Sequence, residues 1–108
     1  MPLSKRARIE IYLPSGARFG RLRTVLEREF LYTFGGCTVV VGIKGKYLSA
    51  DKTPQTEPVD LLYADTPFDF DEDFQALSEY ADDLKRVILQ TTSEESILIV
   101  VQQIFHSV

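Results

Sequence analysis

A glycine pair followed by a β-branched run constrains this chain more than any other stretch: Gly35 and Gly36, then Cys37, Thr38, Val39, Val40 and Val41. Glycine can end a helix in the left-handed conformation, and Thr and Val favour a pleated, half-buried surface. The stretch therefore reads as a helix stop entering a strand. Gly42 and Gly45 interrupt that strand, where a missing side chain marks a bulge, a bend or a close backbone approach.

The rest of the chain can be placed around this junction. Arg8 to Leu13 alternates, with Ile9, Ile11 and Leu13 on one side and Arg8, Glu10 and Tyr12 on the other, which predicts a first strand. Pro14, Ser15 and Gly16 make a turn with Ser15 as N-cap, and Phe19, Leu22, Leu26 and Phe30 then recur at helical spacing up to the glycine pair. The second strand covers Thr38 to about Tyr47. A polar loop carrying Pro54 and Pro58 follows as the longest connection, and Val59 to Asp65 forms a third strand. Asp69 and Glu72 have capping-box spacing before a second helix with the stripe Phe74, Leu77, Ala81, Leu84 and Ile88. The apolar run Ile97 to Val101 is the fourth strand. With right-handed crossovers, β-α-β-β-α-β predicts a ferredoxin-like sandwich, a four-stranded antiparallel sheet in the order 4-1-3-2 with two helices on one face, spanning residues 1–108 as a single α+β domain.

That order makes the fourth strand an edge, yet Ile97 to Val101 has no polar face. An apolar edge exposed to water invites association, so Val40, Leu62, Leu98 and Val100, with Ala64 beside them, form the expected interface of a homo-oligomer, a trimer or a dimer.

The segment Gly36 to Lys46, read as Gly-x-Thr-Val-x-x-x-Ile-Lys-Gly-Lys, resembles the entry to the second strand of PII-type signalling proteins. It is also similar to small proteins of unassigned function that share a Gly-x-Thr-Val strand. The PII resemblance implies a trimer with its sheets packed inward and a long loop, here Lys46 to Glu57, that contacts a protein partner through Tyr47, Asp51, Lys52 and Gln55. PII proteins bind nucleotide with a Gly-Lys-rich loop before the fourth strand, where this chain has Thr91, Thr92, Ser93, Glu94 and Glu95. The resemblance thus speaks for fold and assembly more than for nucleotide sensing.

Charge offers a second candidate site. The net charge of -4 divides into ten Lys and Arg against four carboxylates in residues 1–52 and two against twelve in residues 53–108. Such asymmetry either meets an anionic partner or is satisfied internally. Arg18, Arg21 and Arg23 at the start of the first helix, with Lys44 and Lys46, make a candidate anion or nucleotide site beside free backbone N–H groups. The competing expectation pairs these arginines with Asp82, Asp83, Glu94 and Glu95 across antiparallel helices.

Other chemistry is poorly represented. Cys37 is the only cysteine, which leaves no internal disulfide and no cysteine-based zinc cluster within one chain. Cys37 and His106, the only histidine, fall on opposite edge strands, roughly 14 Å apart at three inter-strand spacings, too far for a nucleophile and its base. Asp69 to Asp73 imitates the start of an EF-hand loop, but Phe74 stands where the turn needs glycine and Tyr80 where calcium needs glutamate. Gly42 to Lys46 is no P-loop, since Tyr47 follows the lysine and no helix begins there. Acidity in the third strand argues against an RNA-binding platform, so no nucleic acid, cofactor, metal or catalytic residue is expected. No leader-like or membrane-spanning run occurs, which points to a cytoplasmic protein. The expected function is a non-enzymatic, PII-like regulatory or interaction module. The alternatives are a dimeric α/β-barrel enzyme or apolar-ligand binder with a pocket lined by Tyr12, Val40, Leu62 and Val100, and an anion or nucleotide sensor.

Overall fold

The computed structural model describes residues 4–92 and 97–106. Its elements are β1 (Ser4–Pro14), a short 3-10 turn (Ala17–Phe19), α1 (Gly20–Phe34), β2 (Thr38–Leu48), β3 (Pro54–Asp65), α2 (Phe74–Thr91) and β4 (Leu98–His106). The four strands form one antiparallel sheet in the order β2-β3-β1-β4, so β2 and β4 are its edges. The chain is thus α+β. No helix among the described residues is long and apolar enough to cross a membrane.

The helix stop occurs where the glycine pair predicts it. Gly35 adopts φ 85°, the left-handed region that glycine enters without a Cβ penalty, and its N–H donates to the Leu31 carbonyl at 2.9 Å. The helix start differs. Ser15 does not cap α1; the 3-10 turn intervenes and the Ser15 hydroxyl is drawn elsewhere, to Asp60. Ahead of α2, the Asp69 carboxylate accepts from the N–H groups of Asp71 and Glu72, both at 2.9 Å, while Asp73 accepts from the Asp69 N–H. The reciprocal cap therefore closes through Asp73, one residue beyond the predicted Glu72. Of the predicted α2 stripe, Leu77, Leu84 and Ile88 are buried, and Phe74 is exposed, packing edge-on against Phe70 instead.

Strand register decides which residues reach the core. Ile9 stands opposite Ala64 and Val101, and Ile11 opposite Leu62 and Ile99, so these side chains share one face of the sheet. Ala7, Ile9, Ile11, Leu13, Leu62 and Ala64 join Leu26 and Phe30 of α1 and Leu77, Leu84 and Ile88 of α2 in a single buried cluster. Phe34 completes the α1–α2 seam, with its ring 5.3 Å from that of Tyr80. The Tyr80 hydroxyl donates to Glu29 across the same seam, and burial followed by that carboxylate pushes its pKa far upward.

The connection between β2 and β3 departs most from the sequence reading. Both strands run on past the predicted limits, so the long loop of Lys46 to Glu57 is largely strand, and only residues 49–53 turn the chain. Pairing continues from Lys44 opposite Pro58 to Leu48 opposite Pro54, beyond the last β1 partner, Pro14 opposite Val59. This leaves a two-stranded ribbon projecting from the sheet, consistent with a longest dimension of 48 Å against 27 and 25 Å. Prolines at 54 and 58 did not block the strand, as edge and ribbon positions tolerate a missing donor. The tip closes with Lys52 N–H on the Ser49 carbonyl at 2.8 Å, and Lys52 itself takes φ 63°.

Candidate functional site: the second face of the sheet

Opposite the core face, register aligns Arg8, Glu10, Tyr12 and Pro14 of β1 with Asp65, Tyr63, Leu61 and Val59 of β3. Gln102, Val100 and Leu98 of β4 continue these rows on one side, and Thr38, Val40 and Ile43 of β2 on the other. The face is divided along its length. One half is polar: the Arg8 guanidinium holds Asp65 with both ends of its fork, at 2.6 and 3.1 Å, and lies 4.3 Å from the Tyr63 ring centroid. Glu10, only 8% exposed, accepts from the Gln102 amide at 2.9 Å and from the Tyr12 hydroxyl at 3.3 Å. Burial, then the Glu10 charge and hydrogen bond, pushes the Tyr12 hydroxyl above its ordinary pKa.

The other half is apolar, comprising Tyr12, Val59, Leu61, Ile43, Val40, Val100 and Leu98. Val40 is 41% exposed and Leu98 58%. Three of the four predicted interface residues, Val40, Leu98 and Val100, occupy this face. Leu62 does not. It is 0% exposed in the core, as is its neighbour Ala64 at 2%, and the β3 residues on the second face are Leu61 and Tyr63. The same correction removes Leu62 from the predicted apolar pocket.

The β3 frame is held by Asp60, which register places on the core face opposite Leu13, only 2% exposed. Its Oδ1 accepts from the Ser15 hydroxyl at 2.5 Å and the Gly42 N–H at 3.0 Å, and its Oδ2 from Arg23 Nη1 at 2.7 Å. Burial raises the Asp60 pKa, but the Ser15, Gly42 and Arg23 donors together outweigh it and leave the carboxyl below its ordinary value. Gly42 sits in the bulge between Val40 and Ile43 with φ 73°, which frees its N–H to reach this carboxylate. A carboxylate so fully engaged is a clamp joining the β1–α1 turn, α1, β2 and β3. It is a poor base for the adjacent serine.

That clamp alters the anion-site reading. Arg23, one of five predicted cations, is committed to Asp60 and lies 3.7 Å from Glu27. Arg18 packs on the Phe19 ring at 4.8 Å, Arg21 is exposed, and Lys44 and Lys46 are exposed on the ribbon. Arg23 thus pairs with Asp60 and not with Asp82 or Asp83; Asp83 pairs with Arg86, and Glu94 and Glu95 lie outside the described residues. Among the described residues the opposite charges of the two halves meet through Lys5 of β1 with Asp71 ahead of α2 at 2.5 Å, Arg8 of β1 with Asp65 of β3, and Arg23 of α1 with Asp60 of β3.

The predicted partner-contact residues separate in the same way. Tyr47 and Gln55 are cross-strand partners in the ribbon, and Asp51 and Lys52 form its tip. Asp51 is held below the usual carboxylate range by the Ser49 hydroxyl, then by Thr53. Cys37 is partly buried near Thr24, Glu27 and Leu31, and burial followed by the Glu27 charge raises its thiol pKa, which opposes nucleophilic use. It precedes β2 while His106 ends β4, at opposite edges of the sheet. No group of three or more metal-ligating side chains occurs among the described residues. Leu61 and the ribbon were missed in the sequence. Only the strict period of two, anchored on Asp65 opposite Arg8, would have exposed the first.

Comparison with protein-family models, curated proteins and solved structures gives no match.

Proposed function

We propose that this chain is a non-enzymatic regulatory or protein-interaction module of the PII-like kind, built on a ferredoxin-like sandwich and working as a cytoplasmic homo-oligomer. The element order and the single cluster uniting α1 and α2 with one sheet face support the sandwich. The apolar half of the second face carries the assembly: Val40, Leu98 and their neighbours form a contiguous patch on an edge-to-edge sheet surface, the kind of surface monomers seldom leave in water. A second subunit covers it, and the ribbon, with Tyr47 and Leu48 exposed near its tip, is the element left to contact a protein partner. An isolated two-stranded ribbon is marginal in water, so a surface that receives it contributes to its order.

Light scattering across a dilution series tests this. The expected mass is a multiple of the 12.3 kDa chain, and Leu98→Lys with Val100→Lys is expected to give a folded monomer. A wild-type monomer at every concentration would refute the assembly. A second reading, a small-ligand binder, is favoured by one observation, a groove at the apolar end of the same face lined by Tyr12, Val59 and Leu98.

A further inference from the structure

The groove has a composition that narrows its ligand. Tyr12, Val59 and Leu98 from the sheet, with Tyr47 and Glu57 from the ribbon, line a volume of about 450 Å³, within the usual span of small-molecule sites, roughly 300 to 1,000 Å³. Gly45 completes the lining opposite Glu57 in the ladder. Its backbone does not lie in the left-handed region, so conformation alone does not call for glycine there. A Cβ at this position would stand 3.3 Å from the Glu57 carbonyl oxygen and 3.4 Å from a Val59 methyl. The missing side chain thus keeps the two strands close and the floor of the groove clear.

The polar groups of the groove carry one sign. Glu57 is partly buried, and among the described residues no hydrogen bond or ion pair engages its carboxylate. Behind Tyr12 stands a second carboxylate, Glu10, which accepts from the Tyr12 hydroxyl. Among the described residues no Lys, Arg or His lines the groove. Aromatic faces attract cations, and this face already shows the interaction once, where Arg8 lies over Tyr63. Among the described residues no cation lies over the rings of Tyr12 and Tyr47. An anion would be repelled by Glu57, and a neutral hydrocarbon would strip water from that carboxylate without replacing it.

We propose that the groove binds an organic ammonium ion carried on a small apolar or aromatic body, with the cation against Tyr12 and Tyr47 beside Glu57 and the apolar body on Val59 and Leu98. This deepens the small-ligand reading of the groove and rests on it, and it requires Leu98 to face the ligand and not a second subunit.

The chain has five tyrosines and no tryptophan, so tyrosine emission can report occupancy directly. Benzyltrimethylammonium is titrated into the intact protein, with benzyl alcohol and benzoate as neutral and anionic counterparts, and calorimetry run on the same samples. Saturable binding of the ammonium compound alone is expected, weakened about tenfold by Glu57→Gln, which swaps charge at constant shape, and abolished by Gly45→Val, which fills the floor. Should Gly45→Val fail to fold, Glu57→Gln and Tyr47→Leu still decide the matter. Absence of saturation in the wild type, equal binding of benzoate or benzyl alcohol, or undiminished binding by Glu57→Gln would overturn the proposal. Light scattering of the same samples separates the two ideas, because binding by a monomer would keep the ligand site and remove the assembly.

Discussion

Replacing Asp60 offers the sharpest test of how this fold is held, because its two carboxylate oxygens serve different partners. Oδ1 takes Ser15 and Gly42, and Oδ2 takes Arg23. In Asp60→Asn the amide oxygen can keep the first two bonds, while the amide nitrogen faces a guanidinium that it cannot accept. Loss of one charge-assisted bond, discounted because Arg23 is partly exposed and can turn to Glu27, costs about 1–2 kcal/mol. Asp60→Ala strands the Gly42 N–H and the Ser15 hydroxyl as well, at about 1–3 kcal/mol for each unsatisfied group, so a total of about 3–8 kcal/mol is expected. That is a large part of the ~5–15 kcal/mol available to a domain. Urea unfolding followed by circular dichroism measures both variants, with the slope m required to stay constant. The sign of the pH effect follows from a folded pKa below the unfolded one. The contribution of Asp60 is present above about pH 4 and is lost as pH falls through the folded value. The gap between wild type and Asp60→Asn should therefore narrow on acidification below that point. If Asp60→Ala costs no more than Asp60→Asn, or if the gap is flat with pH, the clamp does not organise β3 as argued.

Three further outcomes follow from the same structure. Leu62→Ala should cost ~2–5 kcal/mol in urea unfolding as a core truncation, whereas Leu61→Ala on the second face should cost well under half of that at concentrations where the protein is monomeric; equal costs would contradict the register. Gly42→Ala places a Cβ at φ 73° and should destabilise by about 1 kcal/mol or more, read in the same assay, and it should widen if the Asp60 bond also lengthens. Cys37 should react with iodoacetamide at neutral pH more slowly in the folded chain than in urea, since burial and Glu27 hold it as the thiol; faster reaction in the folded state would reverse that reading.

Much of the element plan was legible because local signals agreed with one another. Gly35 needs only its own φ and one backbone bond to end α1, and Leu26 and Phe30 need only helical spacing to find the core. The β3 face was not legible, because Val59 to Asp65 carries apolar residues at both parities and its two aspartates lie on opposite faces, Asp65 beside Arg8 and Asp60 inward. An inward aspartate is acceptable only once Ser15, Gly42 and Arg23 are known to surround it, and those partners lie 45, 18 and 37 residues away. The ribbon was hidden for a related reason: Pro54 and Pro58 read locally as loop, while the cross-strand pairing that overrides them is invisible along the chain. The groove combines both omissions, needing the ribbon to bring Tyr47 and Glu57 to Tyr12.

The ribbon also gives the molecule two separate clocks. Backbone amides in residues 59–63 are held between β2 and β1 and can exchange with solvent only when the sheet itself opens, whereas those in residues 44–48 and 54–58 have a ladder partner on one side alone. Opening of the tip then leaves Asp60, Gly42 and the core cluster untouched. Deuterium uptake should divide near Val59 into a fast arm and a slow body, and proteases should find the arm first. A chain so divided can lengthen, shorten or replace its arm between Leu48 and Pro54 without renegotiating the fold that carries it.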